Sequence, residues 1–253
     1  MSIENILKEK LKDGQTVIGT WSSLSSSNVI NVLGTTGLDF VVIDMEHGSM
    51  SFETAENMVR AAEATGISPI IRTWDDDGQT LLRTLETGTM SVMVPHVKTA
   101  EDADKIVKAC KYFPEGNRGL SPYTRVHGFT HKGIDKSLQK ANEETLVGIL
   151  VEGKEGLASL ENIVQVEGID LIYLGLFDIC QSVGLPGQVS HPDVLDKVER
   201  CREIISSNGI APGSMATDIN YIKMLKDKKY QFIAYLNDAA ALKKIFIDQL
   251  RLI

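Results

Sequence analysis

The sequence predicts a single (β/α)8 barrel, also called a TIM barrel, and three observations lead to this fold class. The chain has 253 residues, which is close to the usual size of such a barrel. Short apolar runs alternate with segments of helical period along most of the chain, as parallel strands joined by helices do. The alternative, an open doubly wound sheet, fits less well because no GxGxxG motif follows the first run. We therefore expect residues 1–253 to form one domain.

Eight apolar runs are the predicted strands. Several of them are continuous rather than alternating, as strands that are buried on both faces of a parallel sheet should be. Eight strands in alternation with helices predict closure into a barrel. The runs cover residues 16–21, 40–45, 68–73, 91–95, 146–151, 171–175, 211–215 and 232–236.

Helical spacing of apolar residues marks several segments between these runs. Ala55, Met58, Val59 and Ala62, for example, share one face of a helix. The alternation breaks once, between residues 113 and 144, in a stretch rich in Gly, Pro and polar residues. A loop of this length is usually functional or part of an interface. The predicted helices cover residues 54–65, 100–112, 161–166, 192–207 and 218–226.

The composition argues against several classes of partner. The net charge is −8, from 34 acidic and 26 basic residues, so we expect no nucleic-acid partner, which would need a basic patch. The polar start of the chain lacks the apolar core of a signal peptide, and we find no apolar run that could span a membrane. The three cysteines form no CxxC pair. We expect a cytoplasmic protein with reduced thiols.

Polar residues directly follow several of the predicted strands. In a (β/α)8 barrel, the chemistry takes place where the strands end and the βα loops begin. The sequence therefore gathers acids, an Arg and two His around one end of the barrel. The residues in question are Asp44, Glu46, His47, Arg72, His96, Glu152 and Asp178.

Glu152 and Asp178 are candidate metal ligands. Each follows an apolar run, and the two runs are neighbouring strands of the predicted barrel. Two carboxylates, completed by water and substrate oxygens, suit Mg2+ or Mn2+. The alternative is that one of them caps the following helix, as Asp commonly does.

His47 and Arg72 are candidates for acid–base chemistry and anion binding. His47 follows Asp44 by three residues, and a carboxylate could fix the tautomer of its ring; otherwise His47 is an ordinary loop residue. Arg72 ends a buried run, so it needs an anion. It either pairs with Asp44, Glu46 or Glu86, or it binds a substrate oxygen.

The other four histidines have no metal-like spacing with one another. We expect them to lie on the surface or to cap helices. They are His96, His127, His131 and His191.

The segments that carry these residues form a specific combination. They are GLDFVVIDMEHG, PIIRT, LETGTMSVMVPHVKTAEDA, YFPEGNRG, VEGKEGLASLENI and GIDLIYLGLFDI. With them, the chain resembles the HpcH/HpaI aldolase family over nearly its whole length. This family comprises class II, metal-dependent pyruvate aldolases of the 2,4-dihydroxyhept-2-ene-1,7-dioate and 2-keto-3-deoxy-sugar-acid types.

The resemblance implies a role for each strand-end residue. Glu152 and Asp178 match the family's two metal-binding carboxylates. His47 matches the catalytic His, with Asp44 as its partner, and Arg72 matches the Arg that contacts the keto oxygen of the substrate. The implied metal is Mg2+ or Mn2+, with Co2+ as a further candidate.

The resemblance also implies a substrate, a reaction and an assembly. The turn from Gly175 to Asp178 matches the segment that holds the pyruvate carboxylate, with Phe177 and Trp21 as further substrate-binding residues. The implied reaction cleaves a 4-hydroxy-2-oxo acid to pyruvate and an aldehyde through a metal-stabilised pyruvate enolate. The implied homo-oligomer is a hexamer, built as a trimer of dimers, in which the eighth helix is exchanged between subunits.

Two departures from the family pattern bear on activity. Leu150 stands where the family usually has Gln, and Phe177 stands where it usually has a small residue, so we expect Phe177 to narrow the pocket. These changes support one alternative, a weakened barrel that binds a 2-oxo acid without turnover. A related carbon–carbon lyase or an oxaloacetate decarboxylase is a further alternative.

Overall fold

The computed structural model contains a closed barrel of eight parallel strands, which lie in the same order in the barrel as in the sequence. It describes residues 4–253, so the first three residues of the predicted domain and of the polar start lie outside the described part. The (β/α)8 fold class predicted from the apolar runs is confirmed.

Each predicted run contains one strand, and the bounds differ by no more than one residue at either end. The runs were recognisable because four of the eight strands are buried along their whole length and the other four along at least half of it. The strands are β1 (Val17–Ser22), β2 (Phe40–Asp44), β3 (Ser68–Arg72), β4 (Ser91–Val94), β5 (Leu146–Val151), β6 (Leu171–Leu174), β7 (Ala211–Ala216) and β8 (Phe232–Asn237).

Helices follow the strands around the outside of the barrel. They are α1 (Ile6–Lys12), α2 (Ser27–Gly34), α3 (Phe52–Thr65), α4 (Gly78–Glu86), α5 (Ala100–Cys110), α6 (Ile134–Glu144), α7 (Lys154–Ile163), α8 (Leu176–Ser182), α9 (Pro192–Ser207), α10 (Ile219–Asp227) and α11 (Asp238–Leu250). Among the predicted helices, α9 has the expected bounds. α3 begins two residues earlier than predicted, because Ser51 accepts a hydrogen bond from the backbone of Thr54 and so caps the helix.

Two predictions about the helices were wrong. The helix predicted at 161–166 is α7, which begins at Lys154 and ends at Ile163. The break predicted between residues 113 and 144 contains α6 at its end, so the irregular segment is shorter than expected. The only residue of α6 that is buried is Asn142, and a helix with so few buried apolar residues gives a weak periodic signal.

The interior of the barrel is filled with side chains. Phe40 and Phe232 are fully buried, and their rings stack with centroids 3.8 Å apart. Gly19 lies beside them, and a Cβ atom there would be 2.2 Å from the carbonyl oxygen of Phe40. A larger residue at this position would push β1 away from β2, so the glycine is needed for close strand packing.

The last helix packs differently from the others. Most of the apolar side chains of α11 are exposed, and its N-terminal end contacts β1 and β8. None of the helices within residues 4–253 has the length and apolar character needed to cross a membrane.

Candidate active site

A buried ion pair joins the ends of two neighbouring strands. The register of β2 and β3 places Asp44 directly beside Arg72. Arg72 donates from Nε to Oδ1 of Asp44 (2.9 Å) and from Nη2 to Oδ2 (2.6 Å), and its Nη1 lies 3.0 Å from Oε2 of Glu46. Of the three partners that the sequence left open, Asp44 and Glu46 are therefore used. Glu86 is not, because it pairs with the buried Arg118.

The guanidinium of Arg72 also lies against an aromatic ring. Its central carbon is 4.4 Å from the ring centroid of Trp21, and Trp21 donates from Nε1 to the hydroxyl of Tyr173 at 3.3 Å. Burial opposes the charge of Arg72, but the hydrogen bonds and charge of Asp44 outweigh it, so the pKa of Arg72 is raised. Trp21 is 7% exposed and supports Arg72 from one side.

The predicted pairing of the His47 ring with Asp44 is not found. The Asp44 carboxylate accepts two hydrogen bonds from Arg72 and two from the backbone amides of Glu46 and His47, both at 3.1 Å. Three of these bonds go to Oδ1 and one goes to Oδ2, so Oδ1 is fully occupied and Oδ2 is held by Arg72. Within residues 4–253, the contact found between these two residues is the hydrogen bond from the backbone amide of His47 to the Asp44 carboxylate. The His47 side chain is exposed.

His96, which was expected on the surface or at a helix cap, joins two acids of the site. Its Nδ1 lies 2.8 Å from Oε1 of Glu152 and its Nε2 lies 2.9 Å from Oε1 of Glu46. Its backbone N–H also donates to Oε1 of Glu152 at 3.0 Å. The expected surface position is confirmed, since the His96 side chain is 61% exposed. Its contacts with the two acids were not predicted, although its place just after a strand was a usable signal.

Glu152 is buried at the end of β5. Burial raises the pKa of its carboxyl group, and the negative charges of Asp178 and Glu46 add to this effect, while His96 opposes it. Perturbed carboxyl groups of this kind are typical of functional sites.

Glu152 and Asp178 face the same cavity, as predicted. The cavity has a volume of about 260 Å³, and His96 and Gly153 also line it. The N-cap of α7 is Gly153 and that of α8 is Gly175, so neither carboxylate has the N-cap position that was the alternative. Asp178 lies in the first turn of α8 and is exposed.

The donor set at this cavity fits a hard divalent ion. Among residues 4–253, no three His, Cys, Asp or Glu side chains converge closely enough to form a complete metal cage. Two carboxylates with open positions for substrate oxygens are nevertheless a usual arrangement for Mg2+. Gly175 keeps space beside one of them, because a Cβ atom there would be 2.9 Å from Oε2 of Glu152.

The two departures from the family pattern have different surroundings. Leu150 is buried in the apolar interior of the barrel. Phe177 is 48% exposed, and the cavity is lined by its neighbour Asp178 instead. Phe177 thus does not line this cavity, and the expectation that it narrows or reshapes the pyruvate pocket stays a prediction.

The remaining histidines lie outside the site. His191 caps α9 by accepting from the backbone of Asp193, as expected, and His131 is exposed. His127 was expected on the surface but is buried. Its ring is hydrogen-bonded to the hydroxyls of Tyr112 (2.9 Å) and Ser137 (2.7 Å).

Known proteins resemble this chain in both sequence and structure. The sequence profile of the HpcH/HpaI aldolase/citrate lyase family matches residues 17–243. A hydroxypyruvate/pyruvate aldolase of Roseobacter denitrificans is 34% identical over 239 residues, which cover 94% of this chain and 93% of that protein. A 4-hydroxy-2-oxo-heptane-1,7-dioate aldolase of Escherichia coli is 32% identical over 244 residues, which cover 96% and 92%. The crystal structure of an HpcH/HpaI aldolase/citrate lyase family protein from Burkholderia cenocepacia superposes with a TM-score of 0.92 at 28% identity, over 98% of each chain.

Proposed function

Since this chain belongs to the HpcH/HpaI aldolase/citrate lyase family and is an aldolase, we propose that it cleaves a 4-hydroxy-2-oxo acid to pyruvate and an aldehyde with a divalent metal ion. The observation that carries the proposal is the buried Glu152, which faces the cavity together with Asp178. A buried carboxylate is costly unless it is paired. His96 contacts Glu152 at Oε1, and a bound cation would give this carboxylate a further partner.

The two carboxylates are the proposed metal ligands, with Mg2+ or Mn2+ as the ions that best suit them and Co2+ as a further candidate. When bound, such an ion polarises the keto group of the substrate as a Lewis acid. The turn from Gly175 to Asp178 is the proposed binding site of the substrate carboxylate. Phe177 borders this turn on its exposed side.

Arg72 is proposed to bind the keto oxygen. An Arg side chain has five N–H donors, and two of them are hydrogen-bonded to Asp44. Nη1 lies 3.0 Å from Oε2 of Glu46 as an ion pair without a hydrogen bond. Three donors are left, and the position of the guanidinium is fixed by these contacts and by the ring of Trp21. Donors that are held in place before the reaction stabilise developing negative charge without reorganisation.

His47 is proposed to take the proton of the 4-hydroxyl group. Its exposed ring is free to meet a substrate at the mouth of the barrel. The backbone amide of His47 donates a hydrogen bond to the Asp44 carboxylate, which fixes the loop that carries His47. Asp44 therefore acts by positioning this loop.

Exchange of the pyruvate methyl hydrogens with deuterated water tests the proposal. We expect exchange in the presence of Mg2+ or Mn2+, and its loss in Glu152→Gln. Glu155→Gln is a matched control, because Glu155 is on the same loop and helix but 73% exposed. The proposal fails if exchange equals that of the metal-free protein, or if Glu152→Gln exchanges like Glu155→Gln.

A weakened barrel that binds a 2-oxo acid without turnover is the second candidate. It is supported by Leu150, which offers no polar group beside the proposed metal ligands. Binding of oxalate in calorimetry without methyl exchange would favour it. Release of CO2 from oxaloacetate at a higher rate than aldol cleavage would favour a decarboxylase instead.

We also propose that the chain forms a homo-oligomer, a hexamer, through α11. A large exposed apolar surface usually marks an interface. Light scattering of the purified protein should give six chain masses, and Phe246→Lys should give smaller species. A monomer at all concentrations would contradict this proposal. The exposed apolar residues of α11 are Leu242, Ile245, Phe246, Ile247 and Leu250.

A further inference from the structure

A continuous series of contacts runs across the mouth of the barrel from β3 to β5. Arg72 at the end of β3 contacts Oε2 of Glu46 at 3.0 Å, and Oε1 of Glu46 lies 2.9 Å from Nε2 of His96. Nδ1 of His96 then lies 2.8 Å from Oε1 of Glu152. The His96 ring therefore connects Glu152, the proposed metal ligand, through Glu46 to Arg72, the residue proposed to bind the keto oxygen.

The backbone of His96 is adapted to this contact. His96 has a φ of +60°, a left-handed conformation that is uncommon for residues other than glycine. In this conformation both its backbone N–H and its ring Nδ1 meet the same oxygen of Glu152. Unusual backbone conformations of this kind persist where the surrounding structure imposes them, and they are frequent at functional sites.

The two contacts of His96 orient the Glu152 carboxylate. Both of them go to Oε1, whereas Oε2 is the oxygen that lies beside Gly175. One carboxylate oxygen is thus held, and the other is turned towards the turn that carries Asp178. Partners that orient a metal-binding side chain raise metal affinity, and their loss typically costs about 10–100-fold.

We propose that His96 is a positioning residue of the metal site, whose ring and backbone N–H hold Oε1 of Glu152 so that Oε2 lies beside Gly175, where the turn that carries Asp178 begins. This inference rests on the metal-dependent function proposed above. It adds a residue outside the two carboxylates to the groups that set metal affinity.

Three substitutions at one position separate this role from a general structural one. An Asn side chain can place its amide nitrogen near the position of Nδ1, and Asn tolerates the left-handed backbone. A Gln side chain reaches further, towards Glu46, and leaves Glu152 without the contact that the ring makes. His96→Ala removes both contacts of the ring.

Binding of Mn2+ without substrate, measured by calorimetry and by electron paramagnetic resonance, is the test. We expect His96→Ala and His96→Gln to weaken Mn2+ binding about tenfold or more, and His96→Asn to stay within about threefold of the unchanged protein. His131→Ala, which removes an exposed histidine away from the site, should bind like the unchanged protein.

The outcomes distinguish this inference from the proposed function. If Glu152→Gln abolishes Mn2+ binding but His96→Ala binds normally, or if His96→Asn is as weak as His96→Ala, only the role of His96 is overturned. If the unchanged protein does not bind Mn2+, the metal-dependent function and this inference both fall. Melting temperatures of the three variants show whether each is folded, and the Asn variant keeps the test decisive if the Ala variant is not.

Discussion

Asp44→Asn should destabilise the protein far more than the same change in an exposed ion pair. Asp44 is the carboxylate that holds Arg72 at the site, and both side chains are at most 10% exposed. The Asn side chain has the same shape but no charge. Its amide nitrogen replaces one carboxylate oxygen, so an N–H donor of Asn then faces an N–H donor of the Arg72 guanidinium.

The magnitude follows from the contacts of this pair. Removing one partner of a buried ion pair costs about 3–5 kcal/mol. Glu46 remains 3.0 Å from Arg72 and still neutralises part of its charge, so we expect the lower end, about 3 kcal/mol. For a chain of this size, that corresponds to a fall in melting temperature of roughly 6–12 °C.

Asp104→Asn is the matched control. The pair between Asp104 and Lys108 has the same 2.6 Å separation, but its side chains are 48% and 54% exposed. Exposed pairs within a helix contribute roughly 0.3–0.5 kcal/mol. Distance is thus held constant, and burial is the difference between the two pairs.

The assay is thermal and urea unfolding, followed by far-UV circular dichroism in the presence of EDTA. The protein concentration is kept equal for all variants, because self-association would shift the apparent stability. If Asp44→Asn costs no more than Asp104→Asn, burial does not strengthen this ion pair and the reasoning is refuted.

Three further predictions follow from single contacts. Gly175→Ala should weaken Mn2+ binding and methyl exchange at least tenfold, since the new Cβ would be 2.8 Å from Cβ of Glu152, and outer-shell changes have effects of this order. Gly153→Ala, which has open space around it, should weaken both much less; equal losses would contradict the steric argument. Burial lowers the pKa of His127 below 6.5, so the unfolded chain binds more protons and stability falls as the pH drops through 6.5. His127→Gln should lose less stability between pH 7.5 and 5.5 in urea unfolding, and an equal loss would show that another group titrates. Trp21→Leu removes the ring that lies 4.4 Å from the buried guanidinium, which should lower the unfolding free energy by at least about 2 kcal/mol and slow methyl exchange, whereas unchanged values would argue against its supporting role.

The strands were predictable because their environment is simple. A strand such as β5 is buried along its whole length, so almost any polar residue is excluded and the apolar run is visible in the sequence. Helices such as α6 present most of their surface to solvent. Their sequences are constrained mainly by helix propensity and capping, which are weak local signals.

The site was predictable in position but not in its contacts. Strand-end placement and the family resemblance together selected Arg72, Glu152 and Asp178, because the barrel brings all strand ends to one face. Which hydrogen bonds form there depends on competition among donors for a few oxygens. Asp44 accepts hydrogen bonds from Arg72 and two amides, and His96 reaches its partners through an unusual backbone angle. Neither fact is visible in residue type or spacing.

The filled interior of the barrel has a consequence for how ligands enter and leave the proposed site. Phe40 and Phe232 stack inside the barrel and are fully buried, and a barrel interior packed in this way is a core and not a pore. Arg72 is buried, whereas His47 is exposed at the mouth. Under the proposed function, the molecule bound at Arg72 should therefore arrive before, and depart after, the molecule bound near His47.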